Sequence, residues 1–244
     1  MEGAIPTYDL LRAPRGCSMV RLRPFLLAIA WGLAGVLAAQ SHLAEGFTGL
    51  PGGATVAVMP LDVELYAVTA GGVLEPRAEW TAKAVANLKE ALRLRGAGQG
   101  GRFVPAPPGE GELLAELNHL HAAVARAIDI HHFGTWKLPS KAGKLDWSLG
   151  DEVAEIRKQT SADYALFLYL RDSYATGGRV ATMVLYAALG VGVGGGAQVG
   201  YASLVDLKTG RILWFNEMVK ATGDVRELEP AKTTLGHLLK AFPG

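Results

Sequence analysis

Hydrophobic and polar positions alternate along this chain with two different periods. Ala54–Val63 (ATVAVMPLDV) is β-branched and almost wholly apolar, the pattern of a strand buried on both faces. Gly71, Gly72 and Pro76 then predict a loop. Over Trp80–Arg95 the period lengthens: Ala84, Leu88, Ala91, Leu92 and Arg95 recur at three and four residues, which predicts a helix ended by Gly96, Gly98, Gly100 and Gly101. Arg102–Ala106 is a short second strand before Pro107 and Pro108. Glu110–Ile130 is the clearest helix, with Leu113, Leu117, Leu120, Val124 and Ile128 as its expected inward stripe. Residues 131–144 show no period. Leu149–Thr160 is a third helix with Val153 and Ile156 inward.

The second half reads as strands. Asp163–Asp172, Arg179–Ala188, Val199–Leu207 and Arg211–Val219 are separated by short turn signals, Gly177–Gly178 and Lys208–Thr209–Gly210 among them. Such neighbours pair antiparallel. Pro230 opens a last helix with Leu235, Leu238, Leu239 and Phe242 on one face. The expected architecture is therefore a single α+β (mixed α/β) domain. It has a central sheet, an antiparallel C-terminal meander and about four helices.

A different segment precedes the domain. Phe25–Ala39 (FLLAIAWGLAGVLAA) is free of charge, follows Arg21 and Arg23, and ends in small residues around Ala38, Ala39 and Ser41. That order is the export-signal pattern. As a helix the run spans roughly 22 Å, short of a ~30 Å hydrocarbon core, so cleavage is favoured over permanent anchoring. Residues 19–41 are thus expected to be a signal peptide starting at Met19, with residues 1–18 a mis-assigned or disordered extension ahead of the true start. Residues 42–53, rich in glycine, are a linker, and 54–244 the folded domain. The lone Cys17 lies upstream of the apolar run, the wrong side for lipid attachment. With 24 basic and 23 acidic residues and no basic cluster, the chain lacks the electrostatic footprint of a nucleic-acid binder.

Three segments together resemble a group of bacterial envelope proteins: the VAVMPLD strand followed by a helix, the helix leading into SADYALFLYL, and the hairpin ending YASLVDLKTGRILWFNE. The group includes the TolB amino-terminal domain and the periplasmic domain of the curli-secretion (CsgG-like) lipoproteins. Val205, Asp206, Thr209, Gly210, Leu213 and Trp214 carry its most specific phrase, a turn that resumes as strand. The resemblance implies a non-enzymatic component of envelope assembly or secretion. The missing lipid-bearing cysteine departs from the lipoprotein members.

Candidate chemistry is sparse. Gly190, Gly192 and Gly195 satisfy G-x-G-x-x-G, but Ala197 to Tyr201 read as strand and not as the helix a pyrophosphate site needs. From Val180 to Val205 no residue is charged. Its glycines disfavour a spanning helix, so a hairpin is expected, its apolar glycine loop either folded back over the core or left as a tip that touches a membrane or partner chain. Leu189, Val191 and Val193 are the candidate contacts with a membrane or partner chain. His119, His121, His131 and His132, with Asp129, are spaced badly for a shared metal on a continuous helix. Asp62, Glu64, Glu75 and Glu79 follow the first strand, where α/β active sites often lie. They support the alternative of a small-molecule hydrolase. The primary expectation is a non-enzymatic exported protein without cofactor. Its partners would be envelope proteins, further copies of itself or a membrane, and not nucleic acid. It would be located in the periplasm or cell envelope. An uncleaved segment 25–39 would instead anchor it to the inner membrane.

Overall fold

A computed structural model describes residues 42–96, 102–105, 111–221 and 223–244. The segments read as the extension and the signal peptide lie outside the described residues. The described residues belong to one compact unit, Gln40–Gly244. Its strands are β1 (Thr55–Val58), β2 (Asp62–Val68), β3 (Leu74–Pro76), β4 (Arg102–Pro105), β5 (Tyr164–Ala175), β6 (Gln198–Asp206) and β7 (Ile212–Lys220). Its α-helices are α1 (Ala78–Gly96), α2 (Glu112–Ile128), α3 (Ala154–Thr160), α4 (Gly177–Ala188) and α5 (Leu228–Leu238).

All seven strands form one mixed sheet around β5. One edge of β5 takes β1 along its first residues and β2 along the rest, both parallel to it. β4 adds parallel outside β1, and β3 adds antiparallel outside β2. The other edge takes β6 and then β7, antiparallel. The expected α+β class and the antiparallel C-terminal meander are present.

The first predicted strand is two strands. Val58 stands opposite Leu166 and Asp62 opposite Tyr169, so four steps on one side match three on the other. The extra residue lies in Met59–Pro60–Leu61, and proline is tolerated at such a bulge because it has no amide to donate. The slip reverses the alternation. Val56 on β1 and Val63 and Leu65 on β2 therefore share one face of the sheet, although one number is even and two are odd. The side-chain amide of Asn118 on α2 holds the bulge through the Pro60 carbonyl at 2.9 Å.

The two faces carry separate cores. Val56, Leu65, Leu166, Leu168, Leu170, Leu204 and Trp214 pack beneath α1 and α5. Ala57, Ala165, Phe167, Val205 and Phe215 pack beneath α2 and α3. Leu235, Leu238, Leu239 and Phe242 are buried as expected, and Phe242 meets Trp214 edge-to-face at 5.3 Å.

Four expectations need revision. Arg179–Ala188, read as a strand, is the helix α4, and the described residues contain five α-helices. A short all-apolar run does not distinguish the two states. Here Thr176 decides: its Oγ1 accepts from the Arg179 amide as an N-cap, and Ala, Met and Leu supply helix propensity. Second, Leu74–Pro76 pairs with β2 where a loop was expected. Third, the buried stripe of α2 is Leu114, Leu117, Asn118, His121, Ala125 and Ile128, rotated from the expected one, and Leu120 is exposed. A polar residue inside the stripe hid it. Fourth, the chain from His42, read as a linker, adds to β7. The Ala44 amide donates to the Leu213 carbonyl and the Phe215 amide to the His42 carbonyl.

The turn between β6 and β7 follows its sequence signal. Asp206 Oδ1 accepts from the Lys208 amide, and the Gly210 amide donates to the Asp206 carbonyl. Gly210 has φ +69°, and a Cβ there would lie 2.1 Å from the Gly150 carbonyl oxygen. Gly210→Ala is expected to destabilise the domain by about 2 kcal/mol or more, from left-handed strain plus displaced backbone. Urea denaturation measures it, and a loss below about 0.5 kcal/mol would contradict this account of the turn.

Candidate functional site

The helix α4 starts directly at the end of β5. At that end of the sheet also lie the β2–β3 turn, the first residues of β6 and the last of β7. Several contacts fasten the base of α4. Thr176 Oγ1 donates to the Val68 carbonyl at 2.9 Å. Arg179 donates twice to the Gly194 carbonyl, at 2.8 and 3.1 Å. Met183 lies against Gly195, and Arg179 also passes beside Gly72 of the β2–β3 turn. The helix and residues 189–196 therefore form one arm that returns to the sheet at Ala197, whose carbonyl accepts from the Ser173 amide.

This arm is apolar on its outside. No residue of α4 is buried. Val184, Leu185 and Leu189 are 65, 63 and 70% exposed, and Val180, Tyr186 and Val191 are exposed as well. Only Arg179, Thr182 and Met183 turn towards the loop and sheet and are half-buried. Globular helices bury the apolar stripe and expose the polar one; α4 does the reverse. Of the sequence-predicted contact residues, Leu189 and Val191 are exposed and Val193 is half-buried. The exposed helical part, Val180 to Tyr186, was missed because the segment was read as strand. Its signal was the run without charge.

Beneath the arm a polar network closes the sheet. Asp172 accepts from the Tyr174 hydroxyl at 2.5 Å and from the Gln198 amide at 2.6 Å, and Thr234 on α5 donates to Gln198 at 2.9 Å. Burial pushes the Asp172 carboxyl above its ordinary value. Arg226 lies between the rings of Trp80 and Tyr174, at 4.4 and 4.2 Å, and pairs with Asp224.

The acids proposed for hydrolysis are otherwise engaged. Arg171 contacts Asp62 at 2.7 Å and Glu64 at 3.5 Å while stacking over Tyr169. The Tyr66 hydroxyl donates to Glu64. Glu75 pairs with Arg77. Two open clefts lie among the described residues. One of about 330 Å³ is lined by Gly53, Arg157, Asp163, Tyr164, Asp206 and Lys208. An apolar one of about 780 Å³ lies between Met59, Leu61, Leu92, Arg93, Phe103 and Pro105. None of the four acids lines either. The glycine motif is also reversed for phosphate binding: a helix precedes it and β6 comes after it.

The histidines separate. His121 is fully buried, stacks on Phe167 and shares a 2.8 Å hydrogen bond with Ser203. Burial pushes its pKa down to about 3, so it stays neutral. His119 is exposed, and His131 bonds the Trp136 carbonyl. Among the described residues no group of three metal-ligating side chains converges.

A carboxyl pair that the sequence did not suggest lies where α2 widens into a π-helical turn, Asp129–Phe133. Asp129 accepts from the Tyr201 hydroxyl at 2.7 Å and pairs with Arg126 at 3.1 Å. Glu217 on β7 sits beside it. Burial first, and then the neighbouring Asp129, push the Glu217 carboxyl up to about 7, opposed by Lys137.

No family model matches the chain, and no curated protein does. Among solved structures it is similar to the PelC dodecamer from Paraburkholderia phytofirmans. That match has 16% identity, covers 80% of this chain and 93% of that one, and has a TM-score of 0.34. It is also similar to the LpoB C-terminal domain from Salmonella enterica, at 16% identity, 72% and 87% coverage and a TM-score of 0.29. Lipoprotein GNA1162 from Neisseria meningitidis gives 16% identity, 68% and 81% coverage and a TM-score of 0.29. Neither the TolB domain nor a curli-secretion protein is among these. Likenesses this distant carry no argument about function.

The Glu217 geometry gives a pH dependence. A carboxyl whose folded pKa is raised contributes stability below its unfolded pKa, near 4.5, and that contribution is lost as pH rises through about 7. Glu217→Gln cannot ionise. Its melting temperature relative to wild type is therefore expected to rise steadily between pH 5 and pH 8. A difference independent of pH would show that Glu217 titrates as an ordinary surface acid.

Proposed function

We propose that this protein is a non-enzymatic exported component of the bacterial cell envelope that works by contact, through the apolar arm formed by α4 and residues 189–193. The observation that carries the proposal is the inverted polarity of α4. An apolar helix with no buried residue leaves its outer surface for something beyond the described residues. The uncharged run over residues 25–39 behind Arg21 and Arg23 supports export. The protein's partners on this reading are envelope proteins, a further copy or a membrane surface. No helix among the described residues is long and apolar enough to cross a membrane.

A hydrolase acting through Asp62 and Glu64 is the weaker reading. General acid–base work needs carboxyls with displaced pKa values facing a cleft. These two share contact with the single Arg171 guanidinium and line neither cleft.

The test is the pair Val191→Asp with Val193→Asp. Val191 is exposed and Val193 half-buried, so folding stability should change by no more than about 1 kcal/mol. The variant is expected to leave the envelope fraction or lose its assembled size in native extracts. Unchanged fractionation and unchanged size would refute the contact role.

A further inference from the structure

The exposed large apolar side chains are not scattered. Setting aside Leu94, Leu120 and Trp136, every one among the described residues belongs to the arm end of the sheet: Val73 and Leu74 beside the β2–β3 turn, Val180 to Val191 on the arm, and Val219 near the end of β7. Three separate stretches of chain thus deliver apolar surface to one end. Contacts across that end hold two of them together, with Ala70 facing Gly178 and Gly72 facing Arg179.

Shape and charge narrow what covers this end. On a helical projection the exposed apolar positions Val180, Ala181, Val184, Leu185, Ala187 and Ala188 span an arc of about 160°, with exposed Tyr186 on the opposite side beside Arg179, Thr182 and Met183. That is wider than the narrow seam by which two helices pack on each other. The arm stands out from the sheet as a protrusion, and its one cation, Arg179, is spent on the Gly194 carbonyl. Few basic side chains accompany it: Arg77 and Arg226 are paired with Glu75 and Asp224, which leaves Lys220 at the end of β7. His42 stands opposite Phe215 and Ala44 opposite Leu213, so this segment enters the sheet from the Lys220 end of β7, the arm end.

Taking the contact role of the arm as given, we infer that its occupant is a lipid bilayer. The arm end of the sheet rests on the membrane, with Val184, Leu185, Leu189 and Val191 at the boundary between headgroups and hydrocarbon. A medium that surrounds the protrusion suits a broad apolar arc better than one partner helix. The backbone of α4 satisfies its own hydrogen bonds, as hydrocarbon requires. Because the attraction is apolar and not ionic, it needs no anionic lipid and resists salt.

The test uses the full chain with Cys17→Ser and one environment-sensitive fluorophore on a cysteine introduced as Val184→Cys, as Leu189→Cys, or as the control Leu120→Cys on α2. Circular dichroism confirms that each variant folds. Phosphatidylcholine vesicles are added with and without nitroxide-labelled phosphatidylcholine, at low and high salt. A label reports only its own surroundings, so binding through residues 25–39 does not mimic the result.

Blue-shifted emission at positions 184 and 189, quenched by the nitroxide lipid, equal at both salt levels and absent at 120, is the expected outcome. Adding Leu185→Asp should weaken the lipid-dependent shift about tenfold or more in vesicle concentration. Emission already blue-shifted without lipid, rising with protein concentration and indifferent to the nitroxide, would overturn the lipid inference and leave the contact role standing with a protein as occupant. Labels at 184 and 189 that behave like the one at 120 would also overturn it. Failure of the contact role itself is read separately, from the Val191 and Val193 double variant.

Discussion

The fold depends on β5 being paired along both edges. Its twelve residues carry Leu166, Leu168 and Leu170 to one face and Ala165 and Phe167 to the other, so both cores are built on this strand. Buried backbone polar groups must be paired. On one side β6 supplies a continuous partner. On the other, no single strand of this sequence could serve, because its apolar positions change parity between Val56 and Val63. The bulge at Met59–Pro60–Leu61 reconciles the two by spending one residue, and Asn118 caps it from α2. One side-chain amide thus couples the second helix to the register of the whole first edge.

The same strand explains why the arm exists. β5 continues past the sheet centre to Ala175, and Thr176 turns it directly into α4 with no loop to lie back over the core. A helix of twelve residues is marginal in water alone. Here its N-cap, the Arg179–Gly194 contacts and Met183 against Gly195 hold it in place before any partner is present. A preformed apolar element costs less ordering entropy on contact than one that must fold at the surface it meets.

Strand and helix periods were legible in the sequence wherever one face was buried and the other wet. α1 and α5 obey that rule, whereas β6 and β7, buried on both faces, were legible from their residue types and from the Asp206–Gly210 turn between them. Legibility failed where an uncharged run stood outside the core. Val180–Ala188 is uncharged and stands outside the core; its 3.6-residue period, with Arg179, Thr182 and Met183 on one side, and its helix propensity were overridden by the expectation of a meander. The α2 stripe was misjudged because His121, neutral inside the core, behaves as an aromatic packing on Phe167. The Asp129–Glu217 pair joins residues 88 apart in sequence through a π-helical turn, and no local pattern encodes it. Of the candidate site, the tip residues Leu189 and Val191 were found from the absence of charge alone.

The glycines of the tip bear on how the arm meets its surroundings. At Gly190, Gly192 and Gly194 an added Cβ would meet nothing within 4 Å, so packing does not require glycine at any of them. Yet they alternate with Val191 and Val193 and come after Leu189. Removing every second side chain leaves the apolar ones without neighbours that would shade them, and it narrows the tip. The backbone polar groups bared in this way would be costly deep in hydrocarbon, where nothing pairs them. A tip of this kind therefore suits shallow contact at an interface, with valine and leucine side chains reaching down and the loop backbone still hydrated.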